Sequence, residues 1–135
     1  MSKLIEEFKS DHVEISDIFR EIAVLGITSE ESRKKLFHAK SKLIAHLKKE
    51  DEEFYPILWK EAETNQNLKQ KLESFAKEME AITITILAFF EKYSDVKLEN
   101  DFENDFTDIY LALTNRINNE ESTLYPEYEK INKTL

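Results

Sequence analysis

The 135-residue sequence has no cysteine, one glycine and two prolines. Without cysteine the chain can form no disulfide, no thiolate metal site and no thiol nucleophile. With so few glycines and prolines it has little to build β-hairpin turns from, whereas 35% of its residues are charged. This composition is typical of long amphipathic helices. The sequence therefore predicts an all-α fold, organised as a single domain over residues 1–135.

Long apolar runs are also missing. The longest, over residues 82–90, is interrupted by two threonines and is far shorter than the roughly 20 residues that a transmembrane helix needs. The sequence shows no signal-peptide pattern, so we expect a cytoplasmic protein with no membrane partner. The net charge of −9 argues against nucleic acid as a partner and favours cations. Nothing in the sequence identifies a protein partner.

Residues spaced three and four apart mark four helical stripes. The first consists of Ile5, Phe8, His12, Ile15, Phe19 and Ile22, and ends before Gly26. The second consists of Leu36, Ala39, Leu43, His46, Glu50 and Ile57, with a kink or restart near Phe54 forced by Pro56. The third consists of Leu72, Phe75, Met79, Ile82, Ile86, Phe89 and Tyr93, after a turn in which Asn67 can cap the helix. The fourth consists of Phe102, Phe106, Ile109, Leu113, Arg116 and Glu120, before Tyr125 and Pro126 break it.

Short connections, including a polar linker over residues 94–101, make an antiparallel up-down four-helix bundle the expected architecture. The chain is also an internal repeat with a period of seventy residues. Under that shift the pair 120–121 matches the pair 50–51, and 125–126 matches the Tyr-Pro pair 55–56. We therefore predict two pseudo-repeated helical hairpins whose matched positions converge on the bundle axis.

Five residues in the predicted seam belong to types that are rarely buried without a partner: His12, His46, Glu50, Arg116 and Glu120. Residues four apart share a helix face, so His46 points with Glu50, and Arg116 points with Glu120. An unpaired carboxylate in a core costs several kcal/mol. These groups must be neutralised either by a metal ion or by one another.

The motifs resemble those of the hemerythrin-like (HHE cation-binding) family. The resemblance rests on the pair Asp11-His12, on His46 and Glu50 followed by Phe54-Tyr55-Pro56, and on the partial second copy over residues 119–126. It implies two irons bridged by carboxylates, with one His and one His-x-x-x-Glu from each hairpin. By this resemblance, His12 and His46 match ligands of one iron, and Glu50 and Glu120 match the bridging carboxylates.

The second half departs from the family pattern, because the sequence has Ile82 and Arg116 where the remaining histidines belong. An isoleucine has no lone pair, and a guanidinium cannot ligate a metal. We therefore expect at most one metal ion per chain, held by His12, His46, Glu50 and Glu120. The ion would be non-heme iron, although Zn or Mn would suit the same ligands. Arg116 would replace the second metal as a fixed cation whose planar fork bridges the two carboxylates.

Three functions remain open at this point. The first is a metal-binding or sensing module in which one non-heme iron meets O2 or NO. The second is a metal-free degenerate relative with a structural or interaction role, its core closed by a salt-bridge network of Arg116 with Glu50 and Glu120. The third is an iron-dependent redox enzyme. We rank the enzyme last, because the sequence supplies no substrate pocket, nucleophile or proton relay.

Three further residues border the predicted site. His38 lies about 80° around its helix from His46, so we expect it at the edge of the core, with a supporting role behind the ligands as the alternative. We expect Tyr55 and Tyr125 to pack at helix ends rather than to touch a ligand, with the same alternative.

Overall fold

The computed structural model describes residues 2–26, 30–93 and 102–134, so the linker predicted over 94–101 lies outside the described residues. The described chain forms four long helical segments and contains no strand, which confirms the all-α prediction. Helix α1 spans Lys3–Leu25, and helix α3 spans Gln66–Lys92. Helix α2 runs through Glu30–Lys49, a π turn at Glu50–Phe54, and Tyr55–Ala62. Helix α4 runs through Phe102–Asn119, a π turn at Glu120–Leu124, and Tyr125–Thr134.

Local sequence signals set several of the helix ends. The Ser2 hydroxyl accepts a hydrogen bond from the N–H of Ile5, and Gly26 ends α1 with φ at 71°, a conformation that favours glycine. The side chain of Asn65 caps α3 by accepting a 3.1 Å hydrogen bond from the N–H of Leu68. The prediction that Asn67 caps this helix is wrong, because Asn67 already lies inside the first turn.

Ion pairs show that α1 and α2 run antiparallel. Each seven-residue step up α2 meets a seven-residue step down α1, in the pairs Lys35–Glu21, Lys42–Glu14 and Lys49–Glu7. Exposed pairs of this kind contribute little stability, but they fix the register of the first hairpin. In the second hairpin, Lys92 pairs with Asp105 at 2.7 Å. None of the helices in the described chain carries an apolar stretch long enough to cross a bilayer.

The apolar core is divided into two clusters along the bundle axis. One cluster lies at the end that holds Phe19, Phe89 and Phe106, and the other contains Phe8 and Phe54. Between them lies a layer of buried polar side chains: His12, His46, Glu50, Arg116 and Glu120. Since the clusters on both sides exclude water, every charge in this layer must be balanced within it.

The π turns follow from the proline in each long helix. Pro56 has no N–H, and its ring would clash with the carbonyl of residue 52 in a continuous α-helix. The helix instead widens, and the N–H of Tyr55 donates to the carbonyl of Glu50, five residues back. The fourth helix makes the same turn at Glu120 and continues through Pro126, so the predicted break there is wrong.

The extra residue of the π turn also changes which side chain faces the core. Leu58 is fully buried, whereas Ile57 is 37% exposed. The prediction of Ile57 as a core residue assumed uninterrupted α-helical spacing, and the π turn shifts the buried position by one.

Candidate metal centre

Four polar side chains from three helices converge in the buried layer. His12 comes from α1, His46 and Glu50 from α2, and Glu120 from α4. One ligand atom from each lies within 4.8 Å of the other three, and none of the four residues is more than 3% exposed. The structure therefore brings together all four residues predicted as metal ligands.

Two carboxylates orient the imidazoles. The Nδ1 of His12 lies 2.7 Å from Oε2 of Glu121, and the Nδ1 of His46 lies 3.0 Å from Oδ2 of Asp11. A carboxylate accepts, so each Nδ1 donates its proton, and in a neutral imidazole Nε2 then keeps a lone pair. The two Nε2 atoms are 3.0 Å apart. Two lone pairs at this separation repel each other unless a metal ion or a proton lies between them.

Sequence reasoning did not assign Asp11 and Glu121 these orienting roles. Asp11 directly precedes the predicted ligand His12, and Glu121 directly follows the predicted ligand Glu120. That adjacency was the available signal, because a side chain beside a seam position can reach around the edge of a neighbouring helix. Partners of this kind fix the tautomer and direction of a ligating imidazole.

Two tyrosines hydrogen-bond the buried carboxyl groups in a reciprocal pattern. The hydroxyl of Tyr55 donates to Glu120 at 2.6 Å, and the hydroxyl of Tyr125 donates to Glu50 at 2.9 Å. The expectation that these tyrosines only pack at helix ends is therefore wrong. Each tyrosine follows a buried glutamate of its own helix by five positions. In a regular α-helix it would lie about 140° around the helix axis from that glutamate, but the π turn brings the tyrosine and the glutamate onto the same face.

Arg116 lies beside both carboxyl groups without forming the predicted fork. Its Nη2 is 3.6 Å from Oε1 of Glu50, and its Nε is 3.8 Å from Oε2 of Glu120. Its hydrogen bonds go instead to the carbonyl of Met79, at 3.2 Å, and to the hydroxyl of Thr83. Among the described residues, Nε of Arg116 and Oε1 of Glu50 have no hydrogen-bond partner. The guanidinium balances the charge of the carboxyl groups through space, because separations of 3.6 and 3.8 Å are too long for hydrogen bonds.

Burial shifts the protonation of the cluster. It lowers the pKa of His12, against the opposing effect of the Glu121 hydrogen bond, so this imidazole is neutral near pH 7. Burial and the nearby Glu50 carboxylate raise the pKa of Glu120 to about 8. Burial also raises the pKa of Glu50. Without a metal the two carboxyl groups hold a proton at pH 7, and Arg116 balances the charge that remains.

The remaining predicted residue, His38, is exposed on α2 rather than at the edge of the core. A cavity of about 320 Å³ opens beside the cluster and is lined in part by Tyr55, Trp59, Phe75 and Arg116. A much smaller void of about 10 Å³ borders His12, His46, Arg116 and Glu120. It is close to the size that one water molecule requires.

The distances between candidate ligand atoms fit a coordination sphere. Bonds of 2.0–2.2 Å to a metal place neighbouring ligand atoms about 2.8–3.6 Å apart. The two Nε2 atoms are 3.0 Å apart, His46 Nε2 is 3.5 Å from Glu50 Oε1, and His12 Nε2 is 3.6 Å from Glu120 Oε1. These donor atoms, two nitrogens and two carboxylate oxygens, could hold a divalent metal ion.

Comparison with known families supports this assignment. A family model described as the hemerythrin HHE cation binding domain matches residues 3–128, a span that takes in the first three helices and most of the fourth. No curated protein and no solved structure matches the chain.

Proposed function

The chain belongs to the hemerythrin HHE cation-binding family, and on that premise we propose that it binds at most one non-heme metal ion, iron. The proposed ligands are His12, His46, Glu50 and Glu120, a set that would also accept Zn or Mn. The observation that carries the proposal is the pair of Nε2 atoms 3.0 Å apart with both Nδ1 protons engaged elsewhere. A metal ion between them would relieve the repulsion of their lone pairs.

The limit of one metal rests on the second hairpin. The seventy-residue repeat pairs His12 with Ile82 and His46 with Arg116, and neither replacement can ligate. The positive charge of Arg116, 3.6 Å from Glu50 and 3.8 Å from Glu120, also opposes a second cation at the carboxyl groups. In this arrangement Arg116 acts as a permanent substitute for the second metal.

A single iron with two imidazoles and one or two carboxylates leaves coordination positions open. Bound iron would supply the affinity for a diatomic ligand such as O2 or NO. The void of about 10 Å³ beside His12, His46, Arg116 and Glu120 would restrict such a ligand to about the size of a water molecule. The role that we propose is therefore binding or sensing rather than turnover.

Metal content tests the proposal directly. We expect one equivalent of iron in the purified chain after a chelator wash, measured by elemental analysis, and none in His46→Ala. His38→Ala is the matched control, because His38 is an exposed histidine of the same helix, and it should retain the parent content. Two equivalents that survive the chelator would contradict the single site.

Three observations favour a second candidate function, a metal-free structural or interaction protein. The tyrosine hydrogen bonds, the Arg116 ion pairs and a protonated Glu120 together balance the cluster without any metal. In that case the purified chain would hold no metal, and added Fe(II) or Zn(II) would not raise its melting temperature. The metal site predicts a rise, since a ligand that binds only the folded state stabilises it.

A further inference from the structure

Tyr125 adjoins two of the candidate ligands at once, a carboxyl group and an imidazole. Its hydroxyl oxygen is 2.9 Å from Oε2 of Glu50 and 3.2 Å from Nε2 of His12. Both distances fall within the spacing of about 2.8–3.6 Å that neighbouring ligands of one metal adopt. The oxygen therefore lies beside two of the proposed ligands, His12 and Glu50, at distances that a shared metal would allow.

The position of this oxygen is fixed by packing. Tyr125 is 1% exposed, and its ring stacks on His12 with an interplanar angle of 12°. It also stacks on Phe8 and meets Phe54 edge to face. The π turn before Tyr125 aims the side chain at the cluster, so no rearrangement of the backbone is required for ligation.

Tyr55 shows what a purely supporting tyrosine looks like in the same fold. It is the repeat counterpart of Tyr125 and donates to Glu120 at 2.6 Å. The same hydroxyl also lies 3.9 Å from Sδ of Met79. In the sequence, Ile82 replaces the histidine that would have faced Tyr55. Tyr55 therefore holds a carboxyl group from behind, whereas Tyr125 adjoins both a carboxyl group and an imidazole.

We propose that Tyr125 is a fifth protein ligand of the metal when iron is ferric, binding through its phenolate oxygen. This inference rests on the proposed metal site. As the bond between iron and the phenolate oxygen forms, the phenol proton passes to solvent. In the experiment Fe(II) gives one electron to ferricyanide, which becomes ferrocyanide, so no other reactant is needed. A hard anionic oxygen ligand favours Fe(III) over Fe(II).

The test compares three proteins loaded with Fe(II) without oxygen, oxidised with ferricyanide and desalted. The parent should hold one iron and show the visible phenolate-to-iron charge-transfer band. Tyr125→Phe should keep its iron and lose the band. Tyr55→Phe is the comparison variant: it removes the hydroxyl that donates to Glu120, which can lower the iron content, but the iron that it holds should still show the band. Ring-deuterated tyrosine should shift the resonance Raman lines excited in this band, a measurement on the parent that does not depend on any variant folding.

Each other result overturns the inference in a recognisable way. A parent that holds one ferric iron without the band disproves phenolate ligation but leaves the metal site intact. A band that disappears in Tyr55→Phe and survives in Tyr125→Phe would show that the ligand is Tyr55 and not Tyr125. A parent that takes up no iron at all removes the proposed function, and the inference with it.

Discussion

Replacing Arg116 with leucine removes the only permanent cation of the polar layer in the described chain. Arg116 lies 3.6 Å from Glu50 and 3.8 Å from Glu120. Glu120 holds a proton at pH 7 because its pKa is raised to about 8, so the charge that Arg116 balances is that of Glu50. In Arg116→Leu without metal, the cheapest response of the folded state is to protonate Glu50 as well.

The size of the effect follows from that response. Glu50 has an ordinary pKa of 4.5 in the unfolded chain, so protonating it costs about 3.4 kcal/mol at pH 7, at 1.36 kcal/mol per pKa unit. This limits the electrostatic loss to about 3 kcal/mol, the lower end of what breaking a buried ion pair costs. The carbonyl of Met79 loses its bond from Arg116 but keeps the one from the Thr83 hydroxyl. At pH 5 the same calculation gives about 0.7 kcal/mol.

The sign of the pH dependence is fixed by linkage. In the variant, folded Glu50 keeps a proton that the unfolded chain releases above pH 4.5, so stability is lost as the pH rises. Urea denaturation in chelator at pH 5 and pH 7 should show a deficit that grows with pH. Arg20→Leu is the control, since Arg20 pairs with Asp17 on the surface and its loss should change stability by no more than about 0.5 kcal/mol. An Arg116→Leu midpoint equal to that of the parent at pH 7 would refute the charge argument. An equal deficit at both pH values would assign the effect to packing.

Three further predictions concern the metal. Zn(II) binding at pH 7 should release about one proton per metal, because Glu120 must lose the proton that its pKa of about 8 retains. The affinity for Zn(II) should therefore rise about tenfold per pH unit from pH 6 to 7 and level off above pH 8. Titration calorimetry in buffers of different ionisation enthalpy measures the proton release, and an affinity that does not change with pH would contradict the prediction. The double variant Ile82→His with Arg116→His should bind about two irons by elemental analysis, while either single change should still bind one. A folded double variant with one iron or none would show that positions 82 and 116 do not face the axis. Adding Ala81→Asp to the double variant would copy the hydrogen bond between Asp11 and His46 and should raise the iron affinity of the second site about 10–100-fold.

The spacing of apolar residues was enough to predict the four helices and the buried layer. Stripes with steps of three and four residues place His12 between Phe8 and Ile15, and the buried faces follow from that spacing alone. The four candidate ligands stand on seam positions for the same reason, but their assignment as metal ligands came from the resemblance to the hemerythrin-like family. Spacing reveals seam positions because helical geometry repeats regularly.

Information that depends on an irregularity was not predictable in the same way. Pro56 and Pro126 indicated interruptions, but not whether the helix would break or widen by one residue. That choice decides whether Ile57 or Leu58 is buried and whether the tyrosines face the carboxyl groups. The hydrogen bonds of Arg116 depend on which groups α3 offers, namely the Met79 carbonyl and the Thr83 hydroxyl, and no pattern on α4 reveals them.

The tyrosine of each hairpin hydrogen-bonds the glutamate of the other hairpin, and this determines which substitutions the fold tolerates. Tyr55 with Glu120 and Tyr125 with Glu50 are one and the same contact under the seventy-residue shift. Protomers of a two-fold dimer make reciprocal contacts of this kind, each completing the other. The two halves are therefore interlocked by bonds that involve no histidine and need no metal. Histidines can be lost from one half while the frame keeps its shape, and a separated hairpin would leave its glutamate without a donor even if every ligand were kept.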